Sequence, residues 1–208
     1  MRADRRILPA GDAALLVELP DLNDVLALFD ALDRTRPPGV IDLVPASRTI
    51  GVTVDPSVLP VSTARHWLAG TEASTGVGQA ERPSVELRVR YDGPDLGEVS
   101  ALLGRTPAEV VALHTGSVWR VAFCGFAPGF GYLVTDHDEF AVPRRSTPRT
   151  AVPAGAVGLA GEFSGVYPRS SPGGWQLIGS TDAVLWDASA EQPALLAPGT
   201  TVTFVEVR

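Results

Sequence analysis

The chain has 208 residues, a net charge of −7 and 45% hydrophobic residues. That is enough for one large domain or two small ones, with a core that needs neither disulfide nor metal to fold. The acidic balance argues against nucleic acid and anionic membranes as partners. All 17 basic residues are arginine, which excludes a phosphate-loop lysine and a Schiff-base lysine.

The single cysteine, Cys124, excludes an internal disulfide and points to a reducing compartment. It sits in an apolar run beside Phe123, the setting of an inert buried thiol. With no secretory signal and no apolar run of about 20 residues, the expected location is the cytoplasm.

In chain order, Leu15, Val17 and Leu19 form a short strand pattern after Gly11-Asp12. Asn23 or Asp24 is placed to cap a helix whose apolar positions Val25, Leu28, Phe29 and Leu32 share one face, and Pro37-Pro38-Gly39 stops it. Residues 40–44 read as a strand, as do Ile50, Val52 and Val54, and Ser62 or Thr63 opens a shorter helix through Trp67 and Leu68. The order β-α-β-β-α implies a small α/β domain with helices on one sheet face. Residues 70–83, rich in Gly, Ser, Thr and Ala and without apolar period, are the linker candidate.

Val85, Leu87, Val89 and Tyr91 alternate with Glu86, Arg88 and Arg90, the clearest strand in the chain. Asp95 with Glu98, and Thr106 with Glu109, fit the capping-box spacing, and Pro107 suits a first helical position. Two short helices are expected over 96–103 and 107–115, closed by Gly104 and Gly116.

Residues 120–181 then hold ten of the 21 glycines and six of the 18 prolines, a density that excludes long helices. Short apolar runs at 121–123, 157–160 and 176–178 give strands between tight turns, and 184–186 and 201–207 read as further strands.

No Ser-His-Asp order, zinc spacing or phosphate loop is present, and His66, His114 and His137 lie far apart, so no metal site is expected. His114 ends a helix, where the dipole favours an imidazolium. Arg144, Arg145 and Arg149 lie in a Pro-punctuated loop and carry the planar fork that grips carboxylates and phosphates. Phe126, Phe130, Tyr132, Tyr167 and Trp175 stand beside Gly and Pro, as core filling or as the wall of an apolar cleft.

Several of these stretches occur together in one family. Gly125-Phe126-Ala-Pro128-Gly129-Phe130-Gly-Tyr132-Leu133, Thr147-Pro148-Arg149, Val152-Pro153-Ala154-Gly155-Ala-Val157-Gly158, Tyr167-Pro168 and Ser171-Pro172-Gly173-Gly174-Trp175-Gln176-Leu177-Ile178-Gly179 resemble the family of the bacterial 5-oxoprolinase B-type subunit, whose members are also labelled allophanate hydrolase subunit 1 or KipI-like. Gly11-Asp12-Ala-Ala-Leu15-Leu16-Val17-Glu18 resembles its opening strand, so the likeness covers nearly the whole chain.

The resemblance implies an α+β protein: a small N-terminal α/β domain over 1–80, then a cyclophilin-like β-barrel domain with short helices over 84–208. It implies a non-autonomous subunit of an ATP-dependent lactam hydrolase that converts 5-oxo-L-proline to L-glutamate with C-type and A-type subunits. ATP is expected for the assembled complex and none for this chain alone.

The same motifs fit an allophanate hydrolase component or an inhibitor of a sensor histidine kinase. A prolyl isomerase rests on fold analogy alone. His114 and Arg149 match family positions and are the expected catalytic residues. Phe126, Pro128, Phe130, Tyr132, Pro153, Gly155, Glu162, Ser164, Tyr167, Gly173, Gly174 and Trp175 are expected to line a ligand or partner cleft. One departure stands out: Glu162-Phe163-Ser164-Gly165 replaces the common Gly-Gln-Thr-Gly, keeping a hydroxyl at Ser164 and losing an amide at Phe163.

Overall fold

The computed structural model describes residues 5–73 and 83–208. The chain divides into two units, 1–80 and 81–208. Most of the linker candidate, residues 74–82, lies outside the described residues.

The first unit runs β1 (Arg6–Pro9), β2 (Ala14–Glu18), α1 (Leu22–Arg34), β3 (Val40–Pro45), β4 (Thr49–Val54) and α2 (Val61–Gly70). Its four strands form an antiparallel sheet in the order β1-β2-β4-β3. Val25, Leu28 and Leu32 of α1 and Ala64 and Leu68 of α2 bury against Leu15, Val17, Ile50, Val52 and Val54 of the sheet. The helical stripe and the alternating strand positions thus meet as their periods require. The cap of α1 is Asp21, whose carboxylate accepts from Asp24 N at 2.9 Å; it lies two residues before Asn23 and three before Asp24, the caps the sequence suggests. The sequence does not predict β1; four residues ending in proline carry no readable alternation.

The second unit contains β5 (Ser84–Val89), α3 (Leu96–Leu103), α4 (Pro107–Gly116), β6 (Trp119–Cys124), β7 (Gly131–Val134), β8 (Arg149–Val152), β9 (Ala156–Ala160), β10 (Phe163–Val166), β11 (Ser171–Gly173), β12 (Gln176–Ser180) and β13 (Thr201–Glu206). Seven strands make one sheet, ordered β12-β9-β10-β7-β6-β13-β5, and β8 pairs antiparallel with β11 as a separate two-stranded sheet.

The two edges of the large sheet are joined just beyond β5. Arg90 and Ser180 exchange backbone hydrogen bonds of 2.8 Å in each direction, and Asp95 N donates to Leu177 O at 3.0 Å. The sheet is therefore a barrel closed through a seam. Glycine makes the seam passable: a Cβ at Gly93 would stand 2.4 Å from Leu177 O, and one at Gly179 2.5 Å from Arg90 O.

The core of this unit takes Leu87, Val89, Trp119, Val121, Leu133, Val157, Leu159, Val166, Ile178, Val202 and Phe204 from the strands. Val99 of α3 and Val110 of α4 complete it. The Thr106–Glu109 capping box forms as expected, with Thr106 N donating to Glu109 Oε2 at 2.7 Å, and Gly104 ends α3 in the left-handed region. The Asp95–Glu98 box does not form, because the Asp95 carboxylate is engaged elsewhere. The strand expected over 184–186 is absent; that segment makes one isolated bridge, Trp186 to Ala194.

Candidate functional site

The barrel wall sorts the candidate residues by strand parity. Along β10, Ser164 and Val166 face the main core, whereas Phe163 and Gly165 face a second apolar cluster. β9 behaves likewise: Val157 and Leu159 face the core, Ala156 and Ala160 the second cluster. Successive side chains of a strand point to opposite faces, so neighbours in the motif end in different environments.

On the core side, His114 is fully buried. Tyr91 Oη lies 2.8 Å from its Nδ1 and Ser164 Oγ 3.0 Å from its Nε2. Rings of Trp119, Phe140 and Phe204 surround it at centroid distances of 4.2–5.8 Å. Burial pulls its pKa down to about 3, so the ring is neutral at physiological pH. The imidazolium expected from the helix end does not form, since desolvation outweighs the dipole. A histidine with no exposed atom, bonded at both nitrogens, links α4 to β10 rather than reaching a substrate. Ser164 is likewise an interior hydroxyl and not part of a cleft wall.

On the outer side, small residues at 156, 158, 160 and 165 leave a slot. Gly158 and Gly165 pair across β9 and β10, and a Cβ on Gly165 would stand 2.9 Å from Phe130 Cζ and 3.0 Å from Trp175 Cζ3. Phe130 and Trp175 lie in that slot edge to face, 5.3 Å apart. Tyr167 meets Phe130 at 5.4 Å, Tyr132 meets Trp175 at 5.6 Å, and Phe163 meets Tyr132 at 5.5 Å. Phe163, the departure from the family pattern, thus exchanges a polar amide for a place in this aromatic shell.

Phe126 projects over the shell. It is 58% exposed and holds φ +67, the one non-glycine residue at positive φ among the described residues. Ala127 N donates to Gly125 O at 2.7 Å, closing a three-residue turn around it. Such a turn is strained for a residue with a Cβ, and strain of this kind collects at functional sites.

Arginine chemistry is divided. Asp95, whose side chain is 4% exposed, accepts at Oδ1 from Arg145 Nη1 at 2.8 Å and Arg149 Nη2 at 2.7 Å. Its Oδ2 accepts from Leu177 N at 2.7 Å. Arg149, expected to hold a ligand anion, instead holds an internal carboxylate at the barrel seam. Arg149 Nη1 and Arg145 Nε are buried without a partner. Arg144, by contrast, is exposed, and its Cζ stands 6.0 Å over the Trp175 ring.

The structure therefore gathers Phe126, Phe130, Tyr132, Tyr167 and Trp175 into one constellation, with Gly173 against the Tyr167 hydroxyl and Gly174 against Pro148. Pro128 and Glu162 are exposed turn residues, and Pro153 is exposed beside Gly155. Gly155, at φ +79, packs on Thr181, whose carbonyl oxygen would lie 2.1 Å from a Cβ there. Sequence reasoning misses Asp95 as a site residue because it reads locally as a helix cap; its arginines lie 50 and 54 residues away. No three His, Cys, Asp or Glu side chains group as a metal set among the described residues.

A barrel of this topology with a glycine-rich outer wall has relatives. The carboxyltransferase domain, subdomain C and D, matches residues 5–196 as a family, which sets the class. The B-type subunit of the Escherichia coli O157:H7 5-oxoprolinase is 40% identical over 81% of this chain and 78% of its own. That of Bacillus subtilis strain 168 is 35% identical over 95% and 90%. The chain belongs to this family of 5-oxoprolinase B-type subunits.

Among solved structures, TTHA0988 in space group P6522 superposes with a TM-score of 0.77 at 37% identity, over 94% of this chain and 40% of that one. The Kluyveromyces lactis urea amidolyase shares the fold alone, with a TM-score of 0.78 at 18% identity over 98% of this chain and 15% of its own. The chain thus spans about two fifths of TTHA0988 and a smaller part of the amidolyase.

Proposed function

We propose that this chain is a non-autonomous subunit of an ATP-dependent amide hydrolase, acting on 5-oxo-L-proline to give L-glutamate together with C-type and A-type subunits. The observation that carries it is the identity of 35% over 95% of the chain to the Bacillus subtilis 5-oxoprolinase component. That relative is by name one subunit of a larger enzyme, which is the basis for the partners. Opening an unstrained lactam at neutral pH calls for an activated carbonyl oxygen, and ATP supplies this by phosphorylation. This chain has no lysine to neutralise a triphosphate, and its barrel-seam arginines are held by Asp95. Phosphate handling is accordingly assigned to the partners and substrate contact to the aromatic face.

A second reading is favoured by one observation. A 64-residue stretch is 42% identical to the Saccharomyces cerevisiae urea amidolyase, which points to a urea-derived amide such as allophanate. Co-expression of the chain with its C-type and A-type partners, followed by assay on both amides, tests the proposal. Turnover of 5-oxoproline with release of glutamate supports it; turnover of allophanate alone replaces it with the second reading.

A further inference from the structure

We propose that the cavity at the C-terminal ends of α1 and α2 binds a free α-amino acid with an apolar side chain. All of its lining residues belong to the first unit, Arg34, Thr35, Trp67, Thr71 and Glu72 among them, and it measures about 500 Å³. Sites for small ligands run from about 300 to 1,000 Å³. The reaction assigned to the complex has no part in the reasoning.

The two helix ends are tied together. Thr35 caps α1 by donating its N–H at 3.1 Å and its hydroxyl at 2.8 Å to Ala31 O. Thr71 caps α2 in the same way, giving its N–H and its hydroxyl to Trp67 O, both at 2.9 Å. The Thr35 hydroxyl has then spent its hydrogen, so its oxygen accepts from Trp67 Nε1 at 3.3 Å. That bond holds the indole of α2 to the end of α1 and uses its single donor. What Trp67 has left for a ligand is an apolar ring, with Ala31 in the same wall.

Two opposite charges line the same cavity unspent. Asp33 and Arg36 pair with each other at 2.7 Å, and among the described residues neither Arg34 nor Glu72 has an ion-pair partner. The helix ends add acceptors, because the last carbonyls of a helix lack partners within it and carry the negative end of its dipole. One of these, Ala69 O, is taken by Arg5 Nη2 at 2.9 Å. The Arg34 fork suits a carboxylate. The Glu72 carboxylate and the two helix ends suit an ammonium, and the indole suits the carbon skeleton that joins them. A lone anion or a lone cation would answer only half of this set. An α-amino acid answers both halves, and the apolar wall favours an apolar side chain.

The test titrates L-leucine, L-leucinamide and 4-methylpentanoate into the purified full chain, by calorimetry and tryptophan fluorescence. The amide lacks the carboxylate charge and the acid lacks the ammonium. The same ligands are added to Arg34→Gln and Glu72→Gln, whose exposed positions should leave the fold intact by circular dichroism. The proposal expects saturable binding of L-leucine, weakened about 10- to 100-fold by loss of either ligand charge and by either substitution. The losses should also pair. Arg34→Gln should erase the preference for leucine over leucinamide, and Glu72→Gln the preference for leucine over 4-methylpentanoate. No saturable binding of L-leucine, equal binding of the three ligands, full binding by either variant, or losses that do not pair in this way overturns it.

Discussion

Asp95→Ala is the perturbation that the barrel should resist least. The carboxylate is 4% exposed and accepts three hydrogen bonds, two from guanidinium groups and one from Leu177 N at the seam. Removing it leaves Arg149, with its side chain 23% exposed, without a counter-charge, and Arg145, 28% exposed, with only the more exposed Glu98 at 3.7 Å. Breaking a buried pair from one side costs about 3–5 kcal/mol. In a domain of this size that lowers Tm by roughly 10–20 °C. Asp95→Asn should recover little, because its amide would turn one donor toward the Leu177 N–H or toward an arginine.

Arg149→Ala is milder, about 1–3 kcal/mol, since Asp95 keeps Arg145 and Leu177. The double variant should be less damaging than the sum of the singles by about 0.5–3 kcal/mol. Thermal and urea unfolding of the four proteins gives the cycle. A Tm for Asp95→Ala within about 2 °C of the parent, well below the roughly 10 °C expected, or strict additivity in the cycle, would refute the assignment of the seam to this cluster.

Three further outcomes follow from the geometry. His114 is neutral when folded, with a pKa near 3, and protonates near 6.5 when unfolded, so its contribution is fully present above pH 6.5 and is lost as pH falls toward 3. The loss is about 1.4 kcal/mol per pH unit. His114→Gln should flatten that slope between pH 6.5 and 5, and identical slopes in urea unfolding would count against the buried neutral ring. Gly155→Ala places a Cβ 2.1 Å from Thr181 O at φ +79; it should cost about 2–5 kcal/mol, and an unchanged urea midpoint would contradict the turn. Phe126→Gly relieves a left-handed backbone costing about 1–2 kcal/mol while losing edge contacts to Phe130 and Tyr167; Tm should hold or rise, and a marked drop would show that the ring is structural.

How much of this was legible in the sequence depends on the range of the interaction. Local rules succeeded: the alternation from Val85, the stripe at Val25, Leu28 and Leu32, and the Thr106–Glu109 box all lie within a few residues of their partners. The barrel seam did not announce itself, because Arg90 and Ser180 are remote in sequence and the glycines that permit their meeting look like any turn glycines.

The candidate site divided in the same way. The motifs marked the aromatics that do come together, but not which side of the wall each residue would face. That parity sent Ser164 inward to His114 and Phe163 outward to Tyr132. Among the arginines, Arg149 is taken by Asp95, a residue that local spacing marks as a helix cap.

The most direct test of the assignment to a multi-component enzyme is an omission experiment on the reconstituted hydrolase. 5-Oxoproline-dependent release of glutamate and phosphate is measured with the C-type and A-type subunits, with and without this chain, and with this chain alone. The account expects turnover in the full mixture and background rates in both omissions. Undiminished turnover without the chain, or sustained turnover by the chain alone, would contradict it.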